Sequence, residues 1–196
     1  MPGAEDGVER RVVPLSPRRL DLVLLAFFVI NLLFITYVVD LEQLVIANPH
    51  HFSYPWWPPR PAVDLVHWWG SHFDPDLMAR PVWWTMTIWI DDLGFGPLYV
   101  LAICAYVRGW DWIRLPSVIY ASMLFTKVVI ILGEEYAGAT PSPHFAVVLL
   151  ANLPWLVFPA LIVYRMAHGE HPFTEAIPPT VAPVAPAQRR RETAGA

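Results

Sequence analysis

The sequence predicts an all-α integral membrane protein, a bundle of four transmembrane helices with an interfacial cap between the first and the second. The chain has 196 residues, of which 56% are hydrophobic, and its mean hydropathy of +0.42 is high for a soluble domain of this length. Four apolar stretches, residues 20–39, 82–107, 113–132 and 145–166, are each long enough to cross a hydrocarbon core about 30 Å thick. The membrane is therefore the first predicted partner.

Charge, cysteine content and motif content exclude several other classes of protein. The net charge is −4 and the basic residues form no continuous patch, so no nucleic-acid partner is expected. Cys104 is the one cysteine, which rules out an intramolecular disulfide. The chain contains no G-x-S-x-G, P-loop or dinucleotide-binding glycine pattern. We therefore expect neither hydrolytic nor nucleotide-dependent chemistry, and no cofactor.

Arginine residues flank the spans and mark the predicted cytoplasmic side. Residues 1–18 form a short N-terminal segment that leads with several arginines into the first apolar stretch. By the positive-inside rule, these arginines and those after the second and fourth spans predict that both termini are cytoplasmic. Twelve of the thirteen basic residues are Arg, which is typical of a GC-rich genome and favours a bacterial plasma membrane. The flanking arginines are Arg10, Arg11, Arg18, Arg19, Arg108, Arg114, Arg165, Arg189, Arg190 and Arg191.

The segment between the first two spans is rich in Trp and Pro. Residues 42–81 contain four tryptophans, a residue type that prefers the headgroup layer of a bilayer. Residues 62–70 are predicted to form a short interfacial helix, and the preceding "YPWWPPRP" is predicted to be extended. This segment is therefore expected to cap the mouth of the bundle.

The C-terminal residues differ in composition from the transmembrane domain, which we place at residues 19–168. Residues 169–196 are rich in Pro and Ala and contain almost no large apolar side chains. Such a composition cannot bury enough surface to offset the entropy of ordering. It predicts a disordered cytoplasmic tail.

Ionisable residues within the spans are the strongest functional signal. Asp91 and Asp92 are adjacent in "TIWIDDLGFGP", and Lys127 lies within the third span. Each such residue at the centre of a span costs about 2.5–3.5 kcal/mol on insertion scales, and one ion pair explains only one of the two acids. Adjacent helical residues point about 100° apart, so at least one acid is expected to face a polar cavity, where a desolvated carboxyl can donate a proton. Further acids lie at span ends on the cap side: Asp40, Glu134 and Glu135.

Helix breakers and aromatic residues surround these acids. Asn152 and Trp155 share one face of the fourth span, beside Pro154 and Pro159, which are expected to interrupt that helix. Gly94, Gly96 and Pro97 are expected to loosen the second span directly after its acids. Aromatic faces can line a lipophilic pocket and stabilise a cation. The candidates are Trp84, Trp89, Trp155, Tyr99 and Tyr120.

The chain resembles the EXPERA family, which includes sterol Δ8–Δ7 isomerases of the emopamil-binding type and the sigma-2 receptor. The most specific match to the receptor is "DWIRLPSVIY" at residues 111–120. "FDP" at residues 73–75 follows the receptor's spacing up to Asp91, where the receptor has a glutamate, and Asp40 with Leu41 also matches. "NLPWLVFP" at residues 152–159 is similar instead to the isomerases, so Asn152 and Trp155 match residues important for isomerisation.

The resemblance implies a double-bond isomerase that acts on a sterol or isoprenoid by protonation and deprotonation, with an isoprenoid cyclase as a close variant. The alternative is a non-catalytic protein that binds sterols, other lipids and lipophilic amines. A homodimer is suggested by the family, whose best-known members lie in the endoplasmic reticulum. The expected catalytic residues are Asp91, Asp92, Asp40, Asn152 and Trp155, and the expected substrate-binding residues are Trp84, Trp89, Tyr99, Tyr120, Lys127, Glu134 and Glu135.

The sequence also departs from the family pattern. Thr36 stands one turn before Asp40 where the isomerases have a histidine, and Lys127 stands where the receptor has a threonine. Intramembrane charge alone is also compatible with an ion or proton transporter. The cap residues His67, His72, Asp74 and Asp76 match no standard zinc spacing, so no metal site is expected.

Overall fold

The computed structural model describes residues 8–178. Four long helices, α1, α4, α5 and α6, contain the four predicted apolar stretches and confirm the all-α membrane fold. In chain order the elements are β1 (Arg10–Val12), α1 (Arg19–Val45), α2 (Arg60–His72), α3 (Pro75–Ala79), α4 (Val82–Arg108), α5 (Asp111–Ala137), α6 (Phe145–Ala167) and β2 (Thr174–Ala176). Helix α1 extends beyond the predicted residue 39, and Asp40, Glu42 and Gln43 in its last turns are buried.

Aromatic side chains form the centre of the bundle. Phe28 of α1 is fully buried, with its ring edge-on to Tyr106 and Tyr120 at centroid distances of 5.4 and 6.1 Å. Large apolar side chains on the outer faces, such as Leu93 and Leu150, are exposed, as the lipid-facing surface of a membrane bundle requires. Helix α6 continues through Pro154 and Pro159, so the expected interruption is not observed.

Two of the spans depart from α-helical geometry beside their buried acids. Helix α1 is π-helical over Asn31–Asp40, and α4 is π-helical over Asp91–Phe95. In α4 the change precedes Pro97, which lacks an N–H and cannot donate to the carbonyl of the preceding turn. The two π-helical segments pack against each other, and a Cβ at Gly96 would lie 2.7 Å from the Tyr37 hydroxyl. Glycine therefore allows the two helices to approach closely.

The predicted cap is present between α1 and α4. Helix α2 contains the predicted interfacial helix, and the Pro-rich stretch before it is not helical. Arg80, which ends α3 in the left-handed region at φ 49°, donates hydrogen bonds of 2.9 Å to both carboxylate oxygens of Glu42. His67 Nε2 lies 2.8 Å from the same carboxylate. These contacts attach the cap to the end of α1.

The first part of the predicted disordered tail, residues 169–178, lies within the described residues and contains β2. Strand β2 pairs antiparallel with β1, and Phe173 is fully buried, with the guanidinium groups of Arg18 and Arg165 within 5.2 Å of the centre of its ring. The Phe173 N–H also donates to Asp111 at 2.7 Å. Residues 173–176 therefore contact the bundle through a buried aromatic side chain, a hydrogen bond to Asp111 and the pairing with β1. Residues 179–196 of the predicted tail lie outside the described residues.

Candidate intramembrane site

A cavity of about 360 Å³ lies between the four spans and ends beneath the cap. This volume falls within the range of about 300–1,000 Å³ that is usual for small-molecule sites. The lining is mainly apolar and aromatic, with a few convergent polar groups. Seven of the predicted site residues line it: Asp40, Trp84, Asp91, Tyr99, Lys127, Asn152 and Trp155.

The other predicted site residues lie elsewhere. Asp92 is buried, yet it does not line the cavity, and neither of its carboxylate oxygens has a hydrogen-bond partner among residues 8–178. Trp89 is exposed on the outer face of α4, and Tyr120 lies behind Tyr99, with 3.0 Å between their hydroxyl oxygens. Glu134 and Glu135 lie at the cap end of α5, where Glu135 is fully buried.

Lys127 and Asp91 form an ion pair at the cavity wall. The Lys127 ammonium, from α5, contacts both carboxylate oxygens of Asp91 on α4. The same nitrogen lies 5.5 Å from the centre of the Phe95 ring, within cation–π range. Lys127 therefore neutralises one of the two adjacent aspartates that the sequence singled out.

Asp40 reaches the cavity from the π-helical part of α1. It is buried, and its Oδ2 atom has no hydrogen-bond partner within the described part of the chain. Thr36 precedes it by four residues and also lines the cavity. Asp91 is paired with Lys127, whereas Asp40 lines the cavity without an ion-pair partner among the described residues.

Polar contacts link α6 to α1 beside these acids. The Trp155 indole N–H donates to Asn31 Oδ1 at 2.8 Å, and the Asn31 amide donates to the Phe27 carbonyl at 2.8 Å. Asn152 donates to the Val148 carbonyl at 2.9 Å within its own helix. Asn152 and Trp155 thus face the cavity together, as their spacing predicted.

Several polar residues of the lining were missed by the sequence reasoning. Asn31, Gln43 and Asp74 line the cavity, and Gln43 accepts a hydrogen bond from the Trp84 indole. An Asn within the first apolar stretch was a usable signal, because a polar side chain in a span usually faces the bundle interior. The sequence singled out Asp74 for its family match and as a possible metal ligand, but not as a residue of the lining. It caps α3 by accepting from the Leu77 N–H at 3.0 Å, and burial raises its pKa.

The cap residues that were weighed as metal ligands serve separate contacts. His67 contacts Glu42, and His72 contacts the Trp68 carbonyl at 2.7 Å. Asp76 accepts a hydrogen bond from the Thr140 hydroxyl. Within residues 8–178, no three metal-ligating side chains converge on one point.

Fold and cavity together define a four-span α-helical membrane protein with a pocket of ligand size between its helices. The family model described as EXPERA (EXPanded EBP superfamily) matches residues 61–166, over half of the chain, so the chain belongs to the EXPERA family. The family resemblance seen in the sequence is thereby confirmed. The chain is similar to sigma intracellular receptor 2 of Xenopus tropicalis, with 25% identity over 143 residues, which cover 67% of this chain and 79% of the frog protein.

Proposed function

We propose that the protein is a membrane-embedded double-bond isomerase that acts on a sterol or isoprenoid lipid. The observation that carries the proposal is Asp40, a buried acid without an ion-pair partner among the described residues, in a cavity that Trp155 and Tyr99 also line. A carboxyl group in such a setting can hold and release a proton, and the neighbouring rings can stabilise a cation. Family membership supports the same reaction class.

The proposed reaction moves two protons and leaves the formula of the lipid unchanged. Asp40 gives a proton to one alkene carbon, whose π electrons form the new C–H bond, and the positive charge moves to the adjacent carbon. The rings of Trp155 and Tyr99, which line the cavity, stabilise this cation. A carboxylate then takes a proton from a neighbouring carbon, and the released pair forms the shifted double bond. The same first step on a polyene or epoxide would start a cyclisation.

The roles of the two adjacent aspartates differ in this proposal. Asp91 lines the cavity, but its pairing with Lys127 makes it a less suitable proton donor than Asp40. Asp92 is buried outside the lining, so a direct role for it would require a rearrangement of α4. Asn152 and Trp155 are proposed to orient the lipid on the opposite wall.

The experiment is turnover of candidate sterols and isoprenoids by the purified protein in nanodiscs made up in deuterated water. Protonation by a carboxyl group that exchanges with solvent must install deuterium on the product carbon. A product with one solvent deuterium supports the proposal, whereas a product without deuterium contradicts acid-initiated isomerisation.

A second candidate is a non-catalytic protein that binds sterols, other lipids and lipophilic amines. It is favoured by the excess of acidic over basic side chains in the cavity. Asp40, Asp74 and Asp91 line it together with the single ammonium of Lys127. The name of the similar frog receptor points to the same class. An unchanged lipid that co-purifies in stoichiometric amount, with no conversion of any candidate, would favour this function.

We further propose that both termini are cytoplasmic and that the protein is a homodimer in a bacterial plasma membrane or the endoplasmic reticulum. The pairing of β1 with β2 supports a common side for the two ends. Reporter fusions after residue 178 and within the cap at Gly70 would test the orientation. A cytoplasmic signal from Gly70 would contradict it.

A further inference from the structure

The cavity contains a cation of its own. Lys127 is the single lysine of the chain, and its ammonium contacts both oxygens of Asp91. The Lys127 and Asp91 side chains are only 13% and 9% exposed. Little water reaches this pair, so the attraction between the two charges is stronger than it would be at a surface.

The Lys127–Asp91 ion pair limits which ligand charges the cavity can accommodate. Among the described lining residues, the carboxyl and ammonium side chains are those of Asp40, Asp74, Asp91 and Lys127. A ligand ammonium that approached Asp91 would meet the Lys127 ammonium at the same carboxylate. Two like charges at that distance in a poorly solvated site repel strongly, so one of them must leave. An uncharged lipid meets no such conflict.

We propose that Lys127 determines the charge specificity of this cavity. By occupying Asp91, it makes the site select uncharged lipids over lipophilic amines, which are left with Asp40 as their counter-ion. The inference deepens the proposed function, since it rests on the same cavity as the lipid-binding site. It assigns to Lys127 a role in selection among ligands, not a step in the reaction.

The test compares two probes that differ in one atom. The tertiary amine 4-benzyl-1-butylpiperidine carries a charge that 1-benzyl-4-butylcyclohexane lacks, although their shapes are matched. The binding constant of each probe is measured for the protein in nanodiscs. We expect Lys127→Met to raise affinity for the amine at least tenfold and to change affinity for the cyclohexane by less than threefold. An equal change for both probes, or no gain for the amine, would overturn the proposal.

A second pair of variants keeps the test decisive if Lys127→Met folds poorly. Lys127→Met/Asp91→Asn removes both charges, so it should fold, bind the cyclohexane as the unmodified protein does and lose the amine gain. Asp91→Asn alone releases the Lys127 ammonium, and we expect at least a tenfold gain for the anion 4-benzylcyclohexanecarboxylate. An unchanged affinity of Asp91→Asn for this anion would contradict the proposal.

Arg11→Met is the matched control. It also removes one positive charge, but from an exposed pair with Glu175 at the opposite end of the chain. It should leave the ratio of amine to cyclohexane affinity unchanged, and a change in that ratio would show that general charge, not Lys127, sets the preference. All readouts are binding constants, so absence of isomerase turnover leaves this test unaffected, and failure of the two proposals can be told apart.

Discussion

Trp155 on α6 donates its indole N–H to the side-chain oxygen of Asn31 on α1, 2.8 Å away and 124 positions earlier in the chain. Both residues line the cavity, so this bond joins the first and last spans at the wall of the proposed site. The indole therefore has two separable properties, a donor that holds two helices together and a ring that faces the ligand.

The first prediction separates these two properties. Trp155→Phe keeps an aromatic face but removes the N–H, and a double-mutant cycle with Asn31→Ala should give a coupling free energy of about 0.6 kcal/mol, the average for interhelical hydrogen bonds in membranes. Unfolding in mixed detergent micelles measures it. Turnover should fall further in Trp155→Ala than in Trp155→Phe, because only Ala removes the ring that stabilises the cation. Equal turnover in the two variants would contradict the role of the ring.

The second prediction concerns the proton donor. Asp40→Asn keeps the shape of the side chain but cannot cycle a proton, so it should abolish incorporation of solvent deuterium into the product while the protein remains folded. Asn152→Ala should lower turnover without abolishing it. Product analysis by mass spectrometry after reaction in deuterated water provides the measurement.

Asp92→Asn serves as the matched variant for Asp40, since Asp92 is also buried but does not line the cavity. We expect it to retain more turnover than Asp40→Asn. The reverse order would identify Asp92 on α4, and not Asp40 on α1, as the proton donor.

Sequence reasoning reached the parts of this site that depend on local pattern. Asp91 and Lys127 stood out because charge is costly within an apolar span, and Asn152 and Trp155 share a face because they are three residues apart. Asn31 was missed as the partner of Trp155 because that contact depends on how α1 and α6 pack. Asp92 was given the same weight as Asp91 because the π-helical geometry that directs the two side chains is a tertiary outcome.

The third prediction concerns the attachment of the cap. Glu42 is fully buried and accepts two hydrogen bonds from Arg80, so Glu42→Gln should lower the free energy of unfolding by about 3–5 kcal/mol, as breaking a buried ion pair does. Arg11→Gln breaks an ion pair of 2.7 Å whose side chains are 69% and 51% exposed, and should cost no more than about 1 kcal/mol. Thermal unfolding in detergent compares the two, and similar losses would refute a buried anchor at Glu42.

The fourth prediction concerns pH. Burial raises the pKa of Asp74 above its ordinary value, so the folded protein binds this proton more tightly than the unfolded chain does. The resulting stabilisation is fully present below the unfolded pKa and is lost as pH rises through the folded pKa. Asp74→Asn keeps an acceptor for the Leu77 N–H and should flatten this decline. Unfolding curves across acidic to neutral pH test it, and an unchanged slope in the variant would contradict the assignment of the decline to Asp74.

The last prediction concerns the segment that composition had assigned to a disordered tail. Phe173 is fully buried against Arg18 and Arg165, and both of these arginines bond to the Asp21 carboxylate. Phe173→Ala would leave a cavity beneath two cations and should cost about 3–5 kcal/mol of stability, the usual range for a buried Phe. Ile177, an exposed residue just beyond β2, provides the control, since Ile177→Ala removes little buried surface. Thermal unfolding of the two variants should separate them by several degrees. Equal melting temperatures would mean that residues 169–178 do not stabilise the bundle, as expected of the disordered tail that their composition predicted.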